Sequence, residues 1–261
     1  MSRHPQFKYG EDTLTIQKVL DIAHGTLSAT ISKKARARII ESRKKVDVMA
    51  IGNKAVYGIN TGFGPLCDTQ ITPKETNQLQ VNLLLSHAVG VGSPIEKKIA
   101  KAMMVCKVHS LCKGYSGIRI KVIERIIYFI ENDLIPIVPE QGSVGASGDL
   151  APLSHLFLPL IGEGELWEKN KILPAKKALK KHQLQPIQLR AKEGLALING
   201  TQFILAHAVT GLAKMKYLLN LADVAGAMSV EGFQGSTAPY KKALHTIRPF
   251  QGAIKVAERM R

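Results

Sequence analysis

Chemistry is densest in Gly142-Ser143-Val144-Gly145-Ala146-Ser147-Gly148-Asp149, a run without charge until its last residue and followed by the apolar Leu150-Ala151-Pro152-Leu153. Three glycines let the backbone enter tight and left-handed conformations that residues with a β-carbon avoid. Such a loop could cradle a phosphate, expose a nucleophilic serine, or fold back until one of its amide nitrogens attacks a nearby carbonyl. A phosphate loop needs Lys and Ser/Thr straight after its last glycine, where this chain has Asp149-Leu150. A nucleophile elbow, G-x-S-x-G, needs glycine where Asp149 stands. A purely structural loop that uses glycine for its conformation remains the plain alternative.

The third chemistry suits the residue types. Attack of the Gly148 amide nitrogen on the Ala146 carbonyl carbon closes a five-membered ring, and neither residue carries bulk that hinders the approach. Loss of one water from the ring and of a second through the Ser147 hydroxyl leaves an exocyclic methylidene, which is an electrophile. Asp149 and the first free N–H groups of a following helix would lie beside it, and the positive helix end favours negative charge developing there.

At this point the sequence resembles the aromatic amino acid ammonia-lyases, and within them the histidine-specific branch. The resemblance runs along nearly the whole chain. It is carried by Tyr57-Gly58-Ile59-Asn60-Thr61-Gly62-Phe63-Gly64, Ser86-His87-Ala88-Val89-Gly90, the block from Gly142 to His155, and Asn199-Gly200-Thr201-Gln202. It implies a methylidene-imidazolone group made from Ala146-Ser147-Gly148, with no diffusible cofactor. The implied reaction is elimination of ammonia from an L-amino acid, giving trans-urocanate when the substrate is histidine. By the same resemblance Tyr57 is the base for the substrate β-proton, and Asn199 reaches the ring and the substrate carboxylate. Ser86-His87 is a polar pair suited to an imidazole, so His87 is a substrate-binding candidate. Gly64, Asp149 and Gln202 are supporting residues, and Asp149 also reads as the N-cap of its own helix. A homotetramer acting on a small-molecule substrate is implied. Enzymes acting on tyrosine or phenylalanine, and a shortened non-catalytic chain serving as an interaction partner, are the alternatives.

No other cofactor chemistry is legible. There is no H-E-x-x-H, no lysine-centred pyridoxal motif and no dinucleotide fingerprint. Cys106, His109 and Cys112 recur at three-residue spacing, but among apolar neighbours that read as a packed helix, so no metal is expected.

Composition bounds the rest. The 261 residues are 45% hydrophobic, enough for a large core, and their formal net charge is +16. That charge alone would suggest a nucleic acid. Yet the seven basic residues between Lys33 and Lys45 alternate with Ala35, Ile39, Ser42, Val46 and Met49 at helical spacing, so they read as a solvated helix face. Lys176-Lys177 and Lys180-Lys181 have no aromatic interleaving. Neither nucleic acid nor membrane is therefore expected as a partner. Three cysteines and no apolar leader suit a cytoplasmic protein.

The elements that must position these residues read as a mainly α protein with a small hairpin, and the resemblance implies an ammonia-lyase-like helical fold with an incomplete central helical bundle. Helices are predicted from Thr13 to His24, Ser32 to Met49, Thr72-Pro73 to Ser86, Ser93-Pro94 to Leu111, and after Gly117 to Asp133. Prolines 136 and 139 make Leu134–Gln141 extended. A helix is predicted over Asp149–Ile161, a hairpin over Glu165–Leu173, and a long helix from Thr201 to about Gly232. Residues 1–195 are expected to form an N-terminal domain carrying the Ala-Ser-Gly loop, and 196–261 the start of the bundle. Further substrate-site residues of the resembled enzymes, among them a second tyrosine loop and an arginine, have no match before Arg261, so a truncated chain is expected.

Overall fold

The computed structural model describes residues 6–144 and 148–261; Ala146 and Ser147 lie outside the described residues. In chain order the elements are β1 (Phe7–Lys8), α1 (Ile16–His24), β2 (Ala29–Thr30), α2 (Lys33–Ala50), α3 (Pro73–His87), β3 (Val91–Pro94), α4 (Lys97–Leu111) and α5 (Ile120–Glu131). They continue with β4 (Leu134–Pro136), β5 (Pro139–Gln141), α6 (Leu150–Phe157), β6 (Glu165–Glu168), β7 (Lys171–Pro174), α7 (Ala175–Lys181), α8 (Glu193–Ile198), α9 (Gln202–Gly232), α10 (Lys242–Ile247) and α11 (Gln251–Met260). The fold is mainly helical, as predicted.

The helix starts follow local capping chemistry. Thr72 and Glu75 form a reciprocal capping box on α3, with Pro73 in its first turn. Ser32 accepts the Ala35 N–H at 3.0 Å and opens α2. The first helix begins two residues later than predicted, because Thr15, not Thr13, accepts the capping N–H of Lys18. A larger correction falls at Ser93-Pro94. These residues do not begin a helix: Val91–Pro94 is a strand antiparallel to Pro139–Gln141, and Ile95 N–H continues the pairing to Val138 O. Pairing with a strand remote in sequence satisfies backbone groups that a local helix would otherwise have taken.

The α2 stripe also needs correcting. Its buried residues are Ala35, Ile39, Arg43 and Val46, whereas Met49 is exposed. Arg43 replaces Ser42 on the inner face because its guanidinium finds carbonyl acceptors on Gly117 and Ala191 and the carboxylate of Asp47.

Contacts divide the chain into two compact units, Met1–Val209 and Thr210–Arg261. The first is organised around α4, in which every residue from Ile99 to Val108 is buried. Faces of α1, α3, α5 and α6 contribute to the same core. The predicted hairpin is present as β6 and β7, and β4 joins it to make a sheet ordered β4-β6-β7. Helix α7, absent from the sequence-based expectations, follows at once; Ala175, Ala178 and Leu179 face inward, which turns its lysines outward. Lys176 and Lys181 there meet Glu163 and Glu168.

In the second unit the remainder of α9 is followed by α10 and α11, and Arg259 bridges to Asp223 at 2.8 Å. Its large apolar side chains are mostly exposed, among them Leu212, Met215, Leu218 and Val224. A window within Glu193–Gly232 has mean hydropathy 1.3, long and apolar enough to cross a membrane by composition. A bundle helix has the same composition.

Candidate functional site

The two described ends of the glycine loop are each set against glycine backbone from another element. Gly142, at φ 143°, lies over the Cα of Gly90, beside the β3–β5 pairing. Gly148, at φ 108°, lies over Gly200, and a β-carbon added to it would collide with the Gly200 carbonyl. The Asp149 N–H donates to that same carbonyl at 2.7 Å. Glycine at position 148 is therefore required twice, by conformation and by space.

Asp149 is fully buried, and its carboxylate does not cap the helix it precedes. Asp149 does stand at the N-cap position of α6, without a side-chain capping bond there. One carboxylate oxygen accepts the Ser143 hydroxyl at 2.6 Å, and the other accepts the N–H groups of Phe203 at 2.9 Å and Ile204 at 3.1 Å. The side chain thus caps α9 from 54 residues away, where a carboxylate is favoured by free N–H groups and by the helix dipole. With its backbone and side chain both engaged, Asp149 ties the loop's end to the start of the long helix.

His87 closes α3. Its Nδ1 lies 2.9 Å from Leu83 O, a carbonyl that can only accept, so Nδ1 carries the proton; the Ser86 hydroxyl lies 3.1 Å from the same nitrogen. Ser86 and His87 line a cavity of about 200 Å³ together with Gly142, Gly148, Leu150 and Ala151. The structure therefore brings the polar pair and both described ends of the glycine loop to one cavity. His155 accepts the Gly90 N–H through Nε2 at 3.0 Å. Burial lowers its pKa and favours the neutral ring that can accept.

Tyr57 stands on a loop organised from within. Asn60 is fully buried; its amide donates to the carbonyls of Met49, Gly52 and Lys54, and its side-chain oxygen accepts the Val56 N–H. Gly58, at φ 72°, lies where a β-carbon would sit 2.6 Å from Leu195 Cδ2, so this loop packs on α8. Gly64 is also left-handed and opens a 3-10 turn, Gly64–Leu66. The Tyr57 ring is 57% exposed and meets Phe63 edge-on. It is not among the described residues lining the cavity.

Asn199 terminates α8 with an exposed side chain. Its carbonyl accepts a hydrogen bond from Lys107 Nζ at 2.8 Å. Gln202 is buried beside Gly200, and its Oε1 has no partner among the described residues. Sequence reasoning missed Lys107. The available signal was a lone lysine on the inward phase of Met103-Met104-Val105-Cys106-Lys107-Val108. Burial brings its pKa down to about 7.

Behind α8 sits a buried charge cluster. Glu193 is fully buried and accepts from the backbone N–H of Arg119 and Arg190 and from the Arg119 guanidinium, with Arg43 at 3.9 Å. Cys106 and Cys112 are buried in the core, where burial pushes both thiols up to about 12. His109 uses Nδ1 to accept from Gly10 N–H. Among the described residues no cluster of His, Cys, Asp or Glu could hold a metal ion.

The scaffold is mainly helical, and it sets Gly142 and Gly148 at positive φ beside a cavity lined by His87, which is the setting of a lyase-type site. The chain belongs to the aromatic amino acid lyase family, whose profile matches residues 14–261. It is 44% identical over 261 residues to histidine ammonia-lyase of Myxococcus xanthus, covering 100% of this chain and 51% of that protein. The crystal structure of histidine ammonia-lyase from Trypanosoma cruzi superposes with a TM-score of 0.91 at 38% identity, over 98% of this chain and 50% of that one. Tyrosine aminomutase from Streptomyces globisporus superposes equally well, at 0.91 and 32% identity, over 98% and 48%. The chain thus spans about half the length of the relatives it matches.

Proposed function

We propose that this chain carries the amino-terminal part of an ammonia-lyase site that releases ammonia from L-histidine to give trans-urocanate. The observation that carries the proposal is the junction of Gly148 and Asp149 with Gly200, beside the cavity lined by His87. A methylidene-imidazolone from Ala146-Ser147-Gly148 fits the described part of this loop. Gly148 is free of the β-carbon that would obstruct ring closure, and its left-handed backbone is held in place by the Asp149 hydrogen bond. When formed, the group supplies an electrophile that makes the substrate amine a better leaving group.

The chain's own side chains provide the remaining work. The Tyr57 phenol oxygen acts as the base that takes the β-proton. The Asn199 amide orients the substrate carboxylate. His87 has its Nδ1 proton committed to Leu83 O, so Nε2 is left as an acceptor for an imidazole N–H. Gly64 and Gln202 support the loops on which Tyr57 and Asn199 stand. The whole enzyme is proposed to be a cytoplasmic homo-oligomer, a tetramer, that needs no diffusible cofactor.

Likeness to tyrosine aminomutase supports a second reading, in which the substrate is tyrosine or phenylalanine. The exposed apolar side chains of α9 support a third, a non-catalytic chain that acts by association. Intact mass of the purified chain tests the first step. A deficit of about 36 Da, two waters, that disappears in Ser147→Ala is expected, and full mass in the unaltered chain rejects it. The 261 residues alone are expected to turn over little or no histidine. In a whole enzyme containing this half, tyrosine or phenylalanine elimination without urocanate absorbance would favour the second reading over the first.

A further inference from the structure

Lys107 lies on α4, a largely buried helix, with 2% of its surface exposed. Burying an ammonium group costs several kcal/mol unless a partner compensates, and a methionine of similar length would fill the same space without that cost. Met103 and Met104 occupy neighbouring core positions with no exposure at all, so this helix does accept methionine. What lysine adds is one hydrogen bond, from Nζ to the carbonyl of Asn199 at 2.8 Å. That carbonyl belongs to the last turn of α8, where helical carbonyls lack intrahelical partners and a donor is favoured.

The bond holds one end of a short platform. Asn199 is followed by Gly200, whose carbonyl accepts from Asp149 N–H and whose backbone is the surface against which Gly148 rests. Beyond Gly200 the Asp149 carboxylate caps Phe203 and Ile204. The Asn199-Gly200 turn is therefore gripped from the core by Lys107 and from the loop by Asp149. The Asn199 side chain is exposed, so its direction depends on the backbone from which it projects.

We propose that Lys107 is a positioning residue: by holding the Asn199 carbonyl it sets the turn that aims the Asn199 amide and supports the Gly148 end of the Ala-Ser-Gly loop. The consequence for ring formation rests on the function proposed above; the positioning itself does not.

Amide hydrogen exchange on the full 261-residue chain tests it, comparing the unaltered protein with Lys107→Met and Lys107→Arg. In Lys107→Met, the Asp149 amide and those of residues 199–204 should exchange about tenfold faster or more, while α4 and α5 keep their protection. Lys107→Arg retains a side-chain N–H donor and should restore protection at 149 and 199–204 to within about threefold. Unchanged exchange at these amides in Lys107→Met overturns the proposal. So does an even loss across α4, α5 and the turn, which marks lysine as simple packing. If Lys107→Met does not fold, the arginine variant decides alone, and a tenfold loss confined to the turn in it overturns the proposal. Intact mass is read in parallel: a smaller two-water fraction in Lys107→Met is expected wherever the unaltered chain shows that deficit. An unaltered chain at full mass whose turn still responds to Lys107→Met rejects the reaction and leaves the positioning role standing.

Discussion

Asp149 and Phe203 are joined across 54 residues: the carboxylate oxygen of the first accepts the backbone N–H of the second at 2.9 Å, fastening the glycine loop to the start of the long helix. The acid is fully buried, and its oxygens are engaged by these N–H groups and by the Ser143 hydroxyl.

Removing that carboxylate should weaken the fold. Asp149→Ala leaves the first N–H groups of α9 unpartnered and strands the Ser143 hydroxyl, and should lower stability by about 2–4 kcal/mol. Asp149→Asn, which can still accept, should lose about half as much. Urea unfolding measures both; equal midpoints for Asp149→Ala and the unaltered chain would remove this account of the junction.

Gly148→Ala should be unfavourable out of proportion to one methyl group. The left-handed backbone and the collision with Gly200 act together, and a loss of about 2 kcal/mol or more is expected. Gly25, also left-handed but with open space around it, is the control, and Gly25→Ala should cost about 1 kcal/mol. Indistinguishable melting temperatures for the two variants would contradict the close packing at 148.

Glu193 is fully buried against Arg119, with Arg43 nearby. Glu193→Ala removes the carboxylate that the Arg119 guanidinium and two backbone N–H groups share and should cost about 3–5 kcal/mol. Thermal unfolding followed by circular dichroism reads the loss, and a shift of less than about 2 °C would show that this cluster does not hold α8.

Lys107 makes stability depend on pH in a stated direction. Its ordinary pKa of 10.5 falls to about 7 in the folded chain, so between these values the unfolded chain holds the extra proton. Stability from this group therefore rises as pH increases from 7 to 10, by several kcal/mol at most, and is lost as pH falls back towards 7. Denaturation midpoints at pH 7 and pH 9 should diverge in the unaltered chain and converge in Lys107→Met. The same rise in both would assign it to other groups. Hydrogen bonding to Asn199 survives the titration, because a neutral amine still donates.

Much of the local architecture was legible in the residues. Thr72-Pro73 announces α3, Pro136 and Pro139 announce extended chain, and the long helical pattern after Thr201 announces α9. These signals act within a few residues, where capping, proline geometry and periodicity operate. The chemical identity of the glycine loop is of the same kind. The ring chemistry proposed for it rests on alanine, serine and glycine standing next to one another, which is local information.

Partners remote in sequence were not legible. Ser93-Pro94 carries a helix-start pattern, yet a strand some 45 residues later takes it into a sheet. Asp149 reads as the cap of its own helix; it holds that position, but its carboxylate caps α9. Lys107 reads as one more charge in a basic chain, but it is buried and bound to a carbonyl 92 residues away. The sequence by itself determined which groups could react and where most helices begin, because those properties belong to residue types and near neighbours. Only the tertiary structure decided which buried polar group answers which. A buried donor or acceptor must find a partner wherever the packed chain supplies one, and no local rule names that partner.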